Sequence, residues 1–258
     1  MNSILKKASS VVLEAGNIIK EGWVKPKSIK HKGRIDLVTE TDLAVELFLK
    51  EELSKILPGA SFLAEETAGN ADLVDRTWII DPIDGTTNFA HGLPMIATSV
   101  ALWVDGAVAL GIINLPILNE LFTAVKGQGA FMNAESIHVS DCRSMEDSLI
   151  ATGFPYAIED HVDFITKALN KVLLSTQGVR RPGAAALDLA YLACGRYDGY
   201  YENALKPWDT ASGWLLVEEA GGTVSDYNNK DFNLFSPSIL ATNSKLHEPL
   251  GKILKSCL

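Results

Sequence analysis

The stretch Thr77-Trp78-Ile79-Ile80-Asp81-Pro82-Ile83-Asp84-Gly85-Thr86-Thr87 decides how this chain is read. A short apolar strand, Thr77 to Ile80, runs straight into Asp81. A carboxylate at the end of a buried strand is expensive to desolvate unless a cation meets it. Pro82 keeps Asp81 out of helical geometry, and a turn between Asp81 and Asp84 would aim both carboxylates at one point. Hard cations such as Mg²⁺ take oxygen ligands, commonly one or two carboxylates with waters and a substrate phosphate. The Ile83 carbonyl, in the same turn, is a candidate further ligand. Gly85 allows close backbone approach, the amides opening the next helical turn suit phosphate oxygens, and a threonine hydroxyl can hold a water.

Alone, a D-P-x-D turn reads more readily as a capped loop. Three distant features shift the balance. Glu65-Glu66 closes the preceding strand, Ser61 to Ala64, where adjacent acids repel and are naturally presented to a site. Asp209, in Pro207-Trp208-Asp209, opens an apolar helix and would singly pass for an N-cap. Asp36-Leu37-Val38-Thr39-Glu40-Thr41-Asp42 would singly pass for a helix start with acids in its first turn.

The remaining pattern predicts helices over 3–22 and 40–57, the second capped by Thr39 or Thr41 and stopped at Pro58-Gly59. A largely antiparallel sheet follows, with Ile96 to Val104 and Ala107 to Leu115 flanking the hairpin signal Asp105-Gly106, then strands at 121–125 and 137–140. The second half alternates. Strands are expected at 148–152, 197–201 and near Leu240, and helices at 158–174, 184–194, 209–220 and from Ser244. Gly221-Gly222 should close the 209–220 helix. The result is a layered α+β fold of 258 residues in a single unit, with an N-terminal metal-binding half over 1–145 and a C-terminal half over 146–258.

Composition narrows the function. A net charge of −9, from 32 acidic and 23 basic residues, disfavours nucleic-acid binding and favours cations. Cys142, Cys194 and Cys257 are too scattered for a disulfide framework or a zinc pair, so reduced thiols in the cytoplasm are expected. No apolar run nears the roughly 18 residues of a membrane span, and no signal segment opens the chain. His31, His91, His138, His161 and His247 are scattered, and His91 is expected in a loop before Gly92-Leu93-Pro94. Trp78, Trp103 and Trp214 sit in apolar runs and read as core.

Taken together, the chain resembles the inositol monophosphatase family of lithium-sensitive, Mg²⁺-dependent phosphatases. The resemblance is carried by Trp78 to Phe89, by Trp208-Asp209-Thr210-Ala211-Ser212-Gly213 with Glu219-Ala220-Gly221-Gly222, and by the Asp36–Asp42 and Glu65-Glu66 stretches at the expected places. It implies a layered αβαβα sandwich of the inositol monophosphatase and fructose-1,6-bisphosphatase type, and a homodimer. It implies two to three Mg²⁺ ions. Glu65, Asp81 and the Ile83 carbonyl would hold one, Asp81, Asp84 and Asp209 another, and Glu65 with waters a weaker third. Glu65 and Thr86 would position the attacking water, with Asp42 behind Thr86. Asp84, Gly85, Thr86 and Asp209 would also meet the substrate. Gly183-Ala184-Ala185 would face ring hydroxyls, with Ala184 where relatives carry a hydroxyl residue, and Glu202 would hold inositol hydroxyls. Lys32 or Lys30 would be a flap lysine. The activity implied is hydrolysis of myo-inositol 1-phosphate and related polyol monophosphates by direct attack of metal-activated water. The alternatives are the same chemistry on fructose 1,6-bisphosphate, a 3′-phosphonucleotide, NADP or histidinol phosphate, or a regulatory binding protein on the same fold.

Overall fold

The computed structural model describes residues 1–25, 29–31, 37–67 and 73–258. Helix α1 (Asn2–Trp23) buries Ala8, Val11, Val12, Ala15 and Ile19 along one face at helical spacing. Strands β1 (Ile29–His31) and β2 (Leu37–Thr39) form a short antiparallel ribbon. Helix α2 (Glu40–Ile56) begins at Thr39 with a capping box: the threonine hydroxyl accepts from the Thr41 and Asp42 amides, and the Asp42 carboxylate accepts from the Thr39 amide at 2.9 Å.

A seven-stranded sheet follows in chain order: β3 (Ser61–Ala64), β4 (Thr77–Asp84), β5 (Ala97–Val104), β6 (Ala107–Leu115), β7 (Glu120–Val125), β8 (Ala130–Met132) and β9 (Glu135–Ile137). Only β3 and β4 pair in parallel. Asp105 and Gly106 have φ of 52° and 77°, as a two-residue hairpin matching strand twist requires. The short α3 (Thr86–His91) leaves the end of β4.

The second half contributes β10 (Leu149–Thr152), α4 (Val162–Ser175), β11 (Gly178–Arg180), α5 (Ala185–Ala193), β12 (Gly199–Asn203), α6 (Pro207–Glu219), β13 (Thr223–Ser225), β14 (Ser238–Thr242) and α7 (His247–Lys255). Its five strands are ordered β11-β10-β12-β14-β13. Three apolar cores separate five layers. The first joins α1 and α2 to the large sheet. The second, around Leu189, Leu216, Phe122 and Tyr200, packs α5 and α6 between the two sheets. The third joins the small sheet to α4 and α7. The order is αβαβα.

The helical pair in the middle layer approaches closely because Gly213 on α6 faces Leu189 on α5. A Cβ at position 213 would lie 2.5 Å from both Leu189 Cβ and Cδ1.

Several expectations need correction. The strand expected at 137–140 ends at Ile137; instead β8 and β9 form a hairpin around Asn133 and Ala134, both at positive φ, without the usual glycine. The strand expected at 197–201 runs 199–203, and β11 and β13, three residues each, carry too little alternation to be seen. The last helix starts at His247 rather than Ser244, which sits at φ 68°. His91 ends α3 rather than lying in a loop. Trp78 is fully buried, but Trp103 and Trp214 are only partly so.

Replacing Gly213 by valine should therefore destabilise the protein by ~2 kcal/mol or more, because overpacking a rigid helix pair outweighs the ~1 kcal/mol gained by removing a helical glycine. The urea midpoint, at unchanged slope, measures this; an unchanged midpoint would contradict the packing.

Candidate active site

The sheet does not end where the sequence suggested. β4 continues through Asp84, and the expected Asp81–Asp84 turn is a break in pairing register: Asp81 stands opposite Ser99, and Asp84 opposite Ala97. Pro82 donates no ladder hydrogen bond, so the strand must deform there. Its carbonyl instead accepts from the Thr98 hydroxyl at 2.9 Å. The bulge turns Asp81 and Asp84 toward the C-terminal end of the strand, where Gly85 at φ 87° starts α3. A side chain at 85 would be strained by that φ and would meet the Met95 carbonyl at 2.9 Å.

Other elements bring further acids to this point. Glu65 follows β3 in register with β4, and its side chain is within hydrogen-bonding reach of Asp81. Asp209 arrives from α6. It is not the N-cap; Pro207 occupies the first helical turn, Lys206 is the cap, and the Asp209 carboxylate reaches back to the Lys206 amide at 2.6 Å. Asp84 accepts from the Ala186 amide at 2.6 Å and from Ala185, so a site carboxylate closes the N-terminus of α5. Gly183 and Ala184 precede that turn, and Asn88 ties it to α3, donating to the Met95 carbonyl at 2.7 Å and the Pro182 carbonyl at 2.9 Å.

The environment is strongly unfavourable to charge. Burial raises the Asp81 carboxyl well above the usual range, and Glu65, Asp84 and Asp209 push it further. Burial lifts Asp84 to about 7 against the Ala186 hydrogen bond, with Glu202 and Glu65 adding to it. Asp209 is raised well above its ordinary value by burial and by Asp84. Glu202, in β12, is lifted to about 7 by burial, despite a 2.5 Å hydrogen bond from the Tyr200 hydroxyl.

Behind the acids, Thr86 is buried and its hydroxyl lies 3.2 Å from Asp42 Oδ1 and 3.1 Å from the Ile83 carbonyl. The second Asp42 oxygen is held by the Thr39 amide and hydroxyl. The capping box of α2 and the hydroxyl of the site thus share one carboxylate. Burial raises Asp42 as well.

The donor set fits a hard divalent cation. Asp81 Oδ1 is buried with no hydrogen-bond partner among the described residues, and every converging group is an oxygen donor. Among the described residues no three acidic, histidine or cysteine side chains form a ready-made cage. An open arrangement suits Mg²⁺, which keeps waters and shares substrate oxygens.

Sequence reasoning missed three supports. Glu46 of α2, buried, accepts from the Glu66 amide at 2.8 Å and from the Thr67 hydroxyl at 2.5 Å, fixing the turn that carries Glu65. Its place among the buried positions of α2 was the available signal. Thr98 holds the bulge, and Tyr200 holds Glu202; both are alternate-face strand residues with no motif around them. Lys32, Lys30 and Asp36 are sequence candidates whose side chains lie outside the described residues.

The inositol monophosphatase family model matches residues 1–258. The chain belongs to the inositol monophosphatase family. Inositol monophosphatase 2 of Solanum lycopersicum is 41% identical over 255 residues, covering 96% of each chain. Nus factor SuhB of Salmonella typhimurium is 37% identical over 249 residues, covering 95% of this chain and 93% of its own. The crystal structure of extragenic suppressor protein suhB from Bartonella henselae superposes with a TM-score of 0.93 at 37% identity, covering 99% of this chain and 100% of the other. As a member of the inositol monophosphatase family, the chain is a phosphatase.

The raised carboxyls fix a pH dependence for the metal-free protein. An acid whose folded pKa lies above its unfolded value holds more protons when folded, so its stabilising contribution is full at low pH and is lost as pH rises through the folded pKa. For Asp84 and Glu202 that loss falls between their ordinary values, 3.8 and 4.5, and about 7. In a chelator, the melting temperature should fall between about pH 4 and about pH 7, and Asp84→Asn should flatten the slope. A melting temperature that rises across this range would contradict the arrangement.

Proposed function

We propose that the protein is a Mg²⁺-dependent phosphomonoesterase acting on myo-inositol 1-phosphate and related polyol monophosphates. The observation that carries this reading is the convergence of Glu65, Asp81, Asp84 and Asp209 at one strand end, with Asp81 Oδ1 lacking any hydrogen-bond partner among the described residues. Glu65, Asp81, Asp84, Asp209 and the Ile83 carbonyl would hold two to three Mg²⁺ ions. Once bound, the metal supplies neutralisation of phosphate charge and acidification of water.

The chain's own groups do the rest. Glu65 accepts the proton of the attacking water, and Thr86, steadied by Asp42, orients it. Gly85 and Thr86 offer backbone amides to the phosphate, at a helix start whose glycine cap brings no side chain to compete. Glu202, held by Tyr200 near the end of β12, accepts hydrogen bonds from ring hydroxyls beside Gly183, Ala184 and Ala185. Lys32 is the proposed flap lysine. The Glu202 carboxylate favours a polyol over a nucleotide base. The dimeric state, lithium sensitivity and cytoplasmic location belong to the same proposal; three free cysteines agree with a reducing compartment.

A second reading, a regulatory binding protein on this fold, draws support from the Salmonella relative named as a Nus factor. It requires undetectable turnover on every phosphate tested while Mg²⁺ binding persists.

The deciding assay is Mg²⁺-dependent phosphate release from myo-inositol 1-phosphate beside fructose 1,6-bisphosphate. Asp81→Asn should abolish release with the fold intact. Thr86→Ala should lower kcat by roughly 10²-fold or more with a smaller change in KM, and Glu202→Gln should mainly raise KM for the inositol ester. Full activity in Asp81→Asn would overturn the proposal.

A further inference from the structure

Helix α1 crosses the end of β6 and the start of β7, where Asn114 pairs with Leu121. In β6, Leu110 and Ile112 belong to the core beneath α1, while Ile113 and Leu115 face the middle helices. Alternation therefore turns position 114 toward α1, where an apolar side chain is expected. The residue there is Asn114, only 3% exposed. Opposite it on α1 stands Gly16, and a Cβ at that position would come within 2.7 Å of Asn114 Nδ2. A polar group has been admitted to an apolar face, and the helix has given up a side chain to make room for it.

What results is a cavity of about 210 Å³. Asn17 and Lys20 of α1 line it with Asn114, and Asn119 and Asn133 line it from the hairpin turns. Among the described residues no aspartate or glutamate lines it, in a chain of net charge −9. Asn114 is only 3% exposed as a residue and lines this cavity, so the cavity is where its carboxamide can meet a ligand. Lys20 Nζ donates to Asn119 Oδ1 at 2.9 Å, and an ammonium carries two donors beyond that one.

We propose that this cavity is a binding site for a small phosphate-type oxyanion, with Lys20 supplying the charge and the Asn114 and Asn17 amides the directional donors. The volume is well above the ~10–15 Å³ that a single water needs, so a hydrated tetrahedral anion can enter. It is separate from the acidic site, yet only one strand away: Asn114 pairs across with Thr98, whose hydroxyl holds the Pro82 carbonyl in the bulge between Asp81 and Asp84. An anion seated on Asn114 thus presses on the strand that shapes the catalytic end of β4.

The test is calorimetric titration of the full chain with inorganic phosphate in excess EDTA, which silences metal-dependent binding at the acidic site. Wild type and Asp81→Asn should bind with the same saturable isotherm. Asn114→Leu, which restores the apolar alternation, and Lys20→Gln, at an exposed position, should each weaken binding at least tenfold. If the leucine variant does not fold, Lys20→Gln decides alone. Absence of phosphate binding to wild type in EDTA, or unchanged affinity in the cavity variants, would overturn the proposal.

Discussion

The structure depends on keeping carboxylates together where water is scarce. Asp81, Asp84, Asp209 and Glu202 are each pushed upward by burial first and by one another second. Such a cluster opposes folding, and everything around it acts to hold it. Parallel pairing of β3 with β4 sets Glu65 beside Asp81, the register break turns Asp84, and the first turn of α6 delivers Asp209. Each acid is placed by backbone geometry rather than by attraction to its neighbours. That is the arrangement expected where a cation, absent during folding, later supplies the missing attraction.

The same economy extends to the helices. Asp84 is at once a site carboxylate and the acceptor at the start of α5. Asp209 is at once a site carboxylate and the residue reaching back to the start of α6. Readings of these residues as helix caps and as site ligands, which look like rivals in a sequence, are compatible in three dimensions because a carboxylate has two oxygens to spend.

Much of the architecture could be read from residue order. The helical stripes of α1 and α2, the Asp105-Gly106 hairpin and the apolar run into Asp81 all express periodicities long enough to detect. The failures are physical. Three-residue strands such as β11 and β13 carry no usable alternation, and the Asn133-Ala134 turn lacks the glycine that marks such hairpins. Pro207 did contain the information that Lys206, not Asp209, caps α6. The bulge at Pro82 was mistaken for a turn because nothing local reveals that β5 continues to pair beyond it. Glu46, Thr98 and Asn114 meet partners distant in sequence, which no local pattern names, while Tyr200 meets Glu202 two residues along its own strand, a same-face pair that no motif marks.

The shared carboxylate of Asp42 carries a final consequence. One of its oxygens belongs to the first turn of α2 and the other to the Thr86 hydroxyl. Helix ends open far more readily than sheet interiors. Fraying of that single turn would unhitch the hydroxyl while both sheets and all three cores remain standing. On the role proposed for Thr86, heat or denaturant should silence the protein before it unmakes it, with the start of one helix serving as the fuse.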